Sequence, residues 1–493
     1  MAIKELLVRF VNRIRGRSAM EDEVKAAVVE GGDEAARQKE IVRAQRYYRG
    51  EQRVPLTDRQ EEFLGFDKSG DFRVNYCKTV VNAVAERMIL AGFTAGGDDE
   101  DKQPLTAWAE EVWSENRGDA LQMRVHKAAI RDGEYFVLVS PNANNPRIPM
   151  LVPHPRYVDP ANGGSGFGIR AHYNDDDPTQ PMLYASKRWT ETVEEEGADG
   201  RIRRRRRQRL TLYYPDRVER YMQAGNTWGP FVEEEGSQWP IPWVARSGEP
   251  LGIPVVHFQN PDLTSELEDA IPIQDAINKA MLDVLAAADA AGFPIRFSNY
   301  WVTTDGKPPA SDGSNYLEIS PGCFITIPEP DAKLENLSAS DLSQLVSVYG
   351  ELIITLARVT DTPLSRFLQT RQVAAEGTLK QQEEPLLSKV RSRQVVFGNA
   401  WEDCMAIARR LSETFSDIAL PEGHLEAVWL PAETRDEPSI EEKLKAGIPQ
   451  EQIWSEMGYT QEQIEAMKAM DEIQARQAQR RLALDAAGME EGG

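Results

Sequence analysis

Ser265-Glu-Leu-Glu-Asp-Ala-Ile-Pro-Ile-Gln-Asp-Ala-Ile-Asn-Lys-Ala-Met281 is the stretch on which the reading of the fold turns. Ser265 and Glu268, three residues apart, have the spacing of a capping box, which satisfies the free N–H groups at a helix start. Apolar residues then recur at Ala270, Ile273, Ile277, Met281, Val284 and Ala288, the rhythm of one helical face. Pro272 lacks a backbone donor, so it either kinks this helix or marks the first turn of its main segment. A helix over 272–291 is ~30 Å long at 1.5 Å per residue. A second stripe of Glu268, Asp275, Lys279 and Asp283 lies along one side. Gly292 and Pro294 end it.

Downstream, β-like pieces at 293–302 and 323–327 flank the turn-rich 304–315. A second helix is predicted over 340–358, then the loop Val359-Thr-Asp-Thr-Pro-Leu-Ser-Arg366, then a long helix over 373–412 with Pro385 as a bend. Upstream, helices are expected at 40–50, 74–91, 105–115 and 119–132. Gly133 stops the last of these before a strand at 134–140. Short strands follow at 150–152, 169–173, 189–193, 210–214 and 218–222, and Ile253-Pro-Val-Val-His-Phe-Gln-Asn260 is the strand that leads into the stretch above. A strand at 424–430 precedes helices over 439–485, signalled by Ser439 with Glu442, Thr460 with Gln463, and Gly458 as terminator. The acidic 19–38 reads as a mobile linker or frayed helix, and 488–493 as a disordered tail.

The 493 residues are enough for two to four domains, and their net charge is −22. That balance argues against a protein that grips nucleic acid, since gripping neutralises phosphates with Lys and Arg. It allows one past which a polyanion slides; it also serves solubility alone. Cys77, Cys323 and Cys404 form no pair or CxxC, and the five histidines are scattered, so neither a disulfide framework nor a zinc site is expected and synthesis is placed in a reducing cytosol. Apolar runs fall short of a membrane span. The basic, interrupted 1–20 reads as an amphipathic helix docking on protein, with a membrane surface as the alternative. No Walker A, GxSxG, DFG or Rossmann pattern occurs. Asp175-Asp-Asp177 reads as a solvated turn, a metal site being the alternative. Glu194-Glu-Glu-Gly-Ala-Asp-Gly-Arg-Ile-Arg-Arg-Arg-Arg-Arg207 reads as a hairpin whose arms pair by charge, or else as a basic patch for nucleic acid or a partner.

Three quoted stretches, Ser265-Glu-Leu-Glu-Asp-Ala-Ile-Pro272, Ile354-Thr-Leu-Ala-Arg-Val-Thr-Asp-Thr-Pro363 and Gln394-Val-Val-Phe-Gly-Asn-Ala-Trp401, stand in an order and at separations that resemble tailed-phage portal proteins of the siphophage type. The likeness covers roughly 40–480 and includes Gln45-Arg-Tyr-Tyr-Arg-Gly-Glu51. It implies an α+β subunit: an N-terminal arm at 1–38, the first part of an outer α/β wing at 39–264, stem helix one at 265–291, a small β-containing clip at 292–337, stem helix two at 338–358, a channel loop at 359–372, a long bent helix and wing closure at 373–434, and a helical crown with its tail at 435–493. It also implies a closed ring of copies, usually twelve, at one capsid vertex, made in the host cytoplasm. Double-stranded DNA would pass through it non-specifically in packaging and ejection. Its partners would be the terminase motor, a head–tail adaptor and the major capsid or scaffolding protein, with no membrane, cofactor, metal or catalytic residue. On that likeness the loop's cations Arg358, Arg366 and Arg371 touch DNA, and Glu268, Asp275 and Asp283 line the channel; pairing of Arg366 and Arg371 with Glu376 or a neighbouring copy is the alternative. Rival readings are another phage head or adaptor protein, and a DNA-processing enzyme with an unrecognised metal site.

Overall fold

Periods of 3.6 and 2 alternate along the chain and the backbone follows them. The structure, a computed structural model, describes residues 32–52, 73–95, 103–159, 167–174, 182–196, 202–225, 227–232, 238–292, 296–298, 324–326, 334–336, 342–368 and 376–433. Its helices are α1 (Gly32–Arg49), α2 (Cys77–Ala85), α3 (Gln103–Glu115), α4 (Gly118–Asp132), α5 (Ala270–Gly292), α6 (Leu342–Val359) and α7 (Glu376–Phe415). Its strands are β1 (Leu90–Ala95), β2 (Glu134–Ser140), β3 (Met150–His154), β4 (Ile169–His172), β5 (Tyr184–Glu196), β6 (Ile202–Tyr213), β7 (Arg217–Ala224), β8 (Thr227–Pro230), β9 (Ile241–Pro242), β10 (Val255–Gln259), β11 (Arg296–Ser298), β12 (Phe324–Thr326), β13 (Leu334–Asn336) and β14 (Leu425–Trp429). The chain divides into Met1–Ala432 and Glu433–Gly493. The helices expected at 439–485, the basic 1–20 and the acidic Asp175-Asp-Asp177 lie outside the described residues.

The core of the first unit gathers on α7. Phe397, Trp401, Cys404, Met405, Ala408 and Leu411 recur at helical spacing and are buried. The Trp401 ring meets Phe258 at 4.8 Å and Trp113 at 5.1 Å, both edge-on, which suits the aromatic quadrupole. Its Nε1 donates to His126 Nε2 at 2.9 Å, and His126 Nδ1 donates to the Met88 carbonyl at 3.0 Å. Gly398 is glycine for a local reason: a Cβ there would stand 3.2 Å from Trp429 Nε1. The quoted stretch ending at Trp401 is therefore a packing motif.

The entry to α5 is built on the end of α4. A helix leaves its last carbonyls unpaired. Here Ile130 O accepts from Glu266 N at 3.0 Å, Arg131 O from the Ser265 hydroxyl, Asp132 O from Arg37 Nη2 at 3.0 Å, and Gly133 O from Asn260 N at 2.9 Å. Gly133 sits at φ +86, and a Cβ there would meet the Leu263 carbonyl at 2.2 Å. Ser265 is thus spent on α4. It also accepts from Leu267 N at 3.1 Å, but α5 begins only at Ala270, so the capping box does not form at the helix start. Pro272 falls in the first turn, where its missing donor costs little.

Sheets order as β10-β2-β3, β1-β14, β12-β11-β13, and β4-β5-β6-β7-β8 with β9 on β7. The period of 74–91 predicts one helix; α2 ends at Ala85, and β1 starts at Leu90 because it has β14 to pair with, Leu90 opposite Trp429. The acidic and basic runs at 194–207 lie in paired strands of the expected hairpin, with Glu194 opposite Arg204 and Glu195 opposite Arg203 in the backbone register. At the acidic 19–38 the helix reaches back to Gly32, and its Glu34 is anchored by Arg156 Nη2 at 2.5 Å. The same Arg156, with Arg37 and His257, surrounds buried Glu134. Burial alone would raise the Glu134 carboxyl; the His257 hydrogen bond and the Arg156 and Arg37 charges outweigh it and hold it at about 2.

Candidate functional site

Helices α5 and α6 pack together. The apolar stripe predicted for α5 is fully buried at Ala270 and Ile277, both 0% exposed, and only partly elsewhere. Ile273, Met281 and Val284 are half-exposed, whereas Gln274 and Asn278, one turn apart, are 0% and 2% exposed. The two amides grip the chain ahead of α2. Gln274 Oε1 accepts from Tyr76 N at 2.8 Å, Gln274 Nε2 donates to Val74 O at 2.8 Å, and Asn278 Oδ1 accepts from Val74 N at 2.9 Å. They satisfy these backbone groups, which is why buried amides are tolerated. Asn278 Nδ2 makes no hydrogen bond.

The acidic stripe divides by environment. Glu268 is exposed at the entry to α5. Asp275 accepts the Tyr47 hydroxyl on both oxygens, at 2.7 and 2.9 Å. Burial, followed by this bond, pushes the Tyr47 hydroxyl up to about 12. Asp283 pairs with Lys279 at 3.6 Å across one turn.

α6 is thinly covered for its composition. By length and composition alone it is apolar enough to cross a membrane, against the expectation that no run reaches that measure. Only Ile353, Leu356 and Ala357 are buried, while Val346 and Val348 are 55% and 54% exposed.

The loop after α6 turns back onto the subunit at once. Thr360 and Thr362 are buried, and Leu364, Phe367 and Leu368 pack on the core. Phe367 meets Tyr76 edge-on at 5.5 Å, and the Tyr76 hydroxyl stands 3.1 Å from that of Tyr349 on α6. Of the candidate cations, Arg358 is exposed on the last turn of α6. Arg366 lies 3.3 Å from Glu86. Arg371 lies outside the described residues. α7 starts at Glu376 and continues through Pro385 to Phe415, three residues beyond the expected end.

Among the described residues no three His, Cys, Asp or Glu gather as a metal would need. Burial raises the Cys77 thiol to about 12 and pushes Cys404 well above its usual value, so both thiols stay protonated. The arrangement is one of struts, a docked loop and uncovered apolar surface.

A family described as "Phage portal protein, SPP1 Gp6-like" matches residues 32–480. The chain is similar to the portal protein of Mycobacterium phage D29, at 22% identity over 432 residues covering 82% of this chain and 79% of the relative. It is likewise similar to the portal protein of Mycobacterium phage L5, at 23% identity over 418 residues with the same coverage.

Proposed function

The chain belongs to the SPP1 Gp6-like phage portal family, and on that premise we propose that it forms a closed ring at one capsid vertex, a conduit for double-stranded DNA in packaging and ejection. Members of this family are structural proteins, so the work falls to the assembly. The observation that carries the reading is α6. An 18-residue apolar helix with few buried residues needs a cover, and a second copy of the chain supplies one repeatedly. Head-to-tail contacts close such copies into a ring of about twelve by family likeness. The terminase motor and a head–tail adaptor would dock on the small sheet of β11, β12 and β13, and the capsid or scaffolding protein elsewhere on the rim.

In this reading Arg358, Arg366 and Arg371 make weak, sequence-blind phosphate contacts where the loop borders the channel, and Glu268 and Asp283 keep the wall from holding DNA. Asp275, bonded to Tyr47, serves the wall less. Leu364, Phe367 and Leu368 pack on the core while Arg358 and Arg366 stay exposed, which leaves both cations open to such contacts. Electron micrographs of the purified protein test the ring: annuli with a central hole are expected, and isolated subunits at micromolar concentration would refute it. With Arg366→Glu and Arg371→Glu together, rings should persist while packaged DNA is lost. Normal packaging would remove the loop's role.

A further inference from the structure

Where α6 ends, two cations reach across from α7. Lys389 and Arg393 stand one turn apart and so share a face. Lys389 Nζ donates to Glu266 Oε1 at 2.5 Å and to the Thr360 carbonyl at 2.8 Å, and stands 3.4 Å from Asp361 Oδ2. Arg393 Nη2 donates to the other Glu266 oxygen at 2.7 Å, and its Nε to Asn260 Oδ1 at 2.9 Å. The Glu266, Lys389 and Arg393 side chains are 6%, 14% and 10% exposed. Two cations and two carboxylates thus balance in a mostly buried cluster.

The residues joined are far apart in the chain but critical in place. Asn260 and Glu266 bracket the turn into α5. That turn is tight, with Asp262 and Leu263 both at φ +55. Thr360 and Asp361 are the first residues beyond α6, and Asp361 is at φ +51, where the chain swings away from the helix axis. An L-residue holds such a conformation only when its surroundings dictate it. Lys389 supplies that constraint by taking both the carbonyl before the swing and the carboxylate at it.

We infer that Lys389, seconded by Arg393, is a positioning residue that locks the departure of the loop to the start of α5 and to α7. The three then shift as one body. Force on the loop passes through Lys389 into α7 and through Glu266 into α5. Lys389 acts without touching DNA. The link to DNA retention rests on the portal reading; the lock itself does not.

Hydrogen exchange on the assembled, full-length protein tests it. In Lys389→Met, amides over 360–368 should exchange about tenfold faster or more, while those of α2 and β2 keep the parental rate. Lys389→Arg, which retains the charge and a donor to Glu266, should recover most of the protection. Parental exchange over 360–368 in Lys389→Met overturns the proposal, and so does an equal rise throughout the subunit. Should Lys389→Met fail to fold, Asp361→Asn carries the same test, because Asp361 is exposed. A rise of about two- to threefold confined to 360–368 supports the lock, and none overturns it. A localised rise in Lys389→Met with normal DNA retention leaves the lock standing and counts against the loop's role in the channel.

Discussion

His126 shows how a single residue is fixed by its surroundings. Both ring nitrogens are engaged, Nδ1 donating to Met88 O and Nε2 accepting from Trp401, so the neutral ring is satisfied and the charged ring has no acceptor for its second proton. Burial depresses it from the ordinary value to about 3. The unfolded chain therefore binds a proton below about pH 6.5 that the fold refuses, and stability falls as pH drops through that window, by up to about 1.4 kcal/mol per pH unit. His172, held at about 3, and His154, held at about 4, add to the same slope. Below about pH 4.5 Glu134, held at about 2 in the fold, adds its own loss as it is forced to protonate. Urea midpoints followed by tryptophan fluorescence should decline steadily from pH 7 to pH 4. In His126→Gln, whose amide keeps a donor and an acceptor, the decline should be shallower by about one proton. An identical slope in the variant would show that His126 is not among the groups responsible.

At the scale of elements, the two amides of α5 set its rotation, and their contributions can be ranked. Gln274→Leu leaves the Tyr76 N–H and the Val74 carbonyl buried without partners, a loss of about 2–4 kcal/mol. Asn278→Leu forfeits one accepted bond and removes an Nδ2 already without a partner, so about 1–2 kcal/mol is expected. Thermal unfolding of the two variants should preserve that order. Asn278→Leu costing as much as Gln274→Leu would mean that the amides do not act through the Val74–Tyr76 backbone. The same pair marks where sequence reading stops. Periodicity places α5, α6 and α7 within a few residues because it reports local geometry. It finds the buried Ala270 and Ile277 of α5 but passes over the buried Gln274 and Asn278, because an amide bonded to backbone looks, in sequence, like an amide bonded to water. The α2-to-β1 change at 86–90 is hidden for a related reason: the partner that makes Leu90 a strand lies in β14, more than three hundred residues away. The Lys389 cluster has no sequence signature beyond a cation pair at i and i+4, and its carboxylates come from two other parts of the chain.

For the whole molecule, the feature that bears on assembly is the thin cover of α6, where Ile353, Leu356 and Ala357 are the buried residues. The half-exposed apolar side of α5, the uncovered first half of α6 and Val395, 64% exposed on α7, are surfaces that one subunit leaves to water. A single exposed valine needs no explanation, but helices with an apolar composition and little burial do. If adjacent copies close over α6, Val346→Asp with Val348→Asp should spare the subunit and spoil the ring. Both side chains are more than half exposed in the lone chain, so subunit stability should move by no more than about 0.5 kcal/mol per site. At an interface each carboxylate would be buried without a partner, a loss of several kcal/mol by order of magnitude, repeated at every contact around the closed ring. Light scattering should therefore report single subunits or short arcs for the double variant at concentrations where the parent is annular, with an unchanged far-ultraviolet dichroism spectrum. A full-mass ring carrying both aspartates would place the contact between copies elsewhere than on the first half of α6.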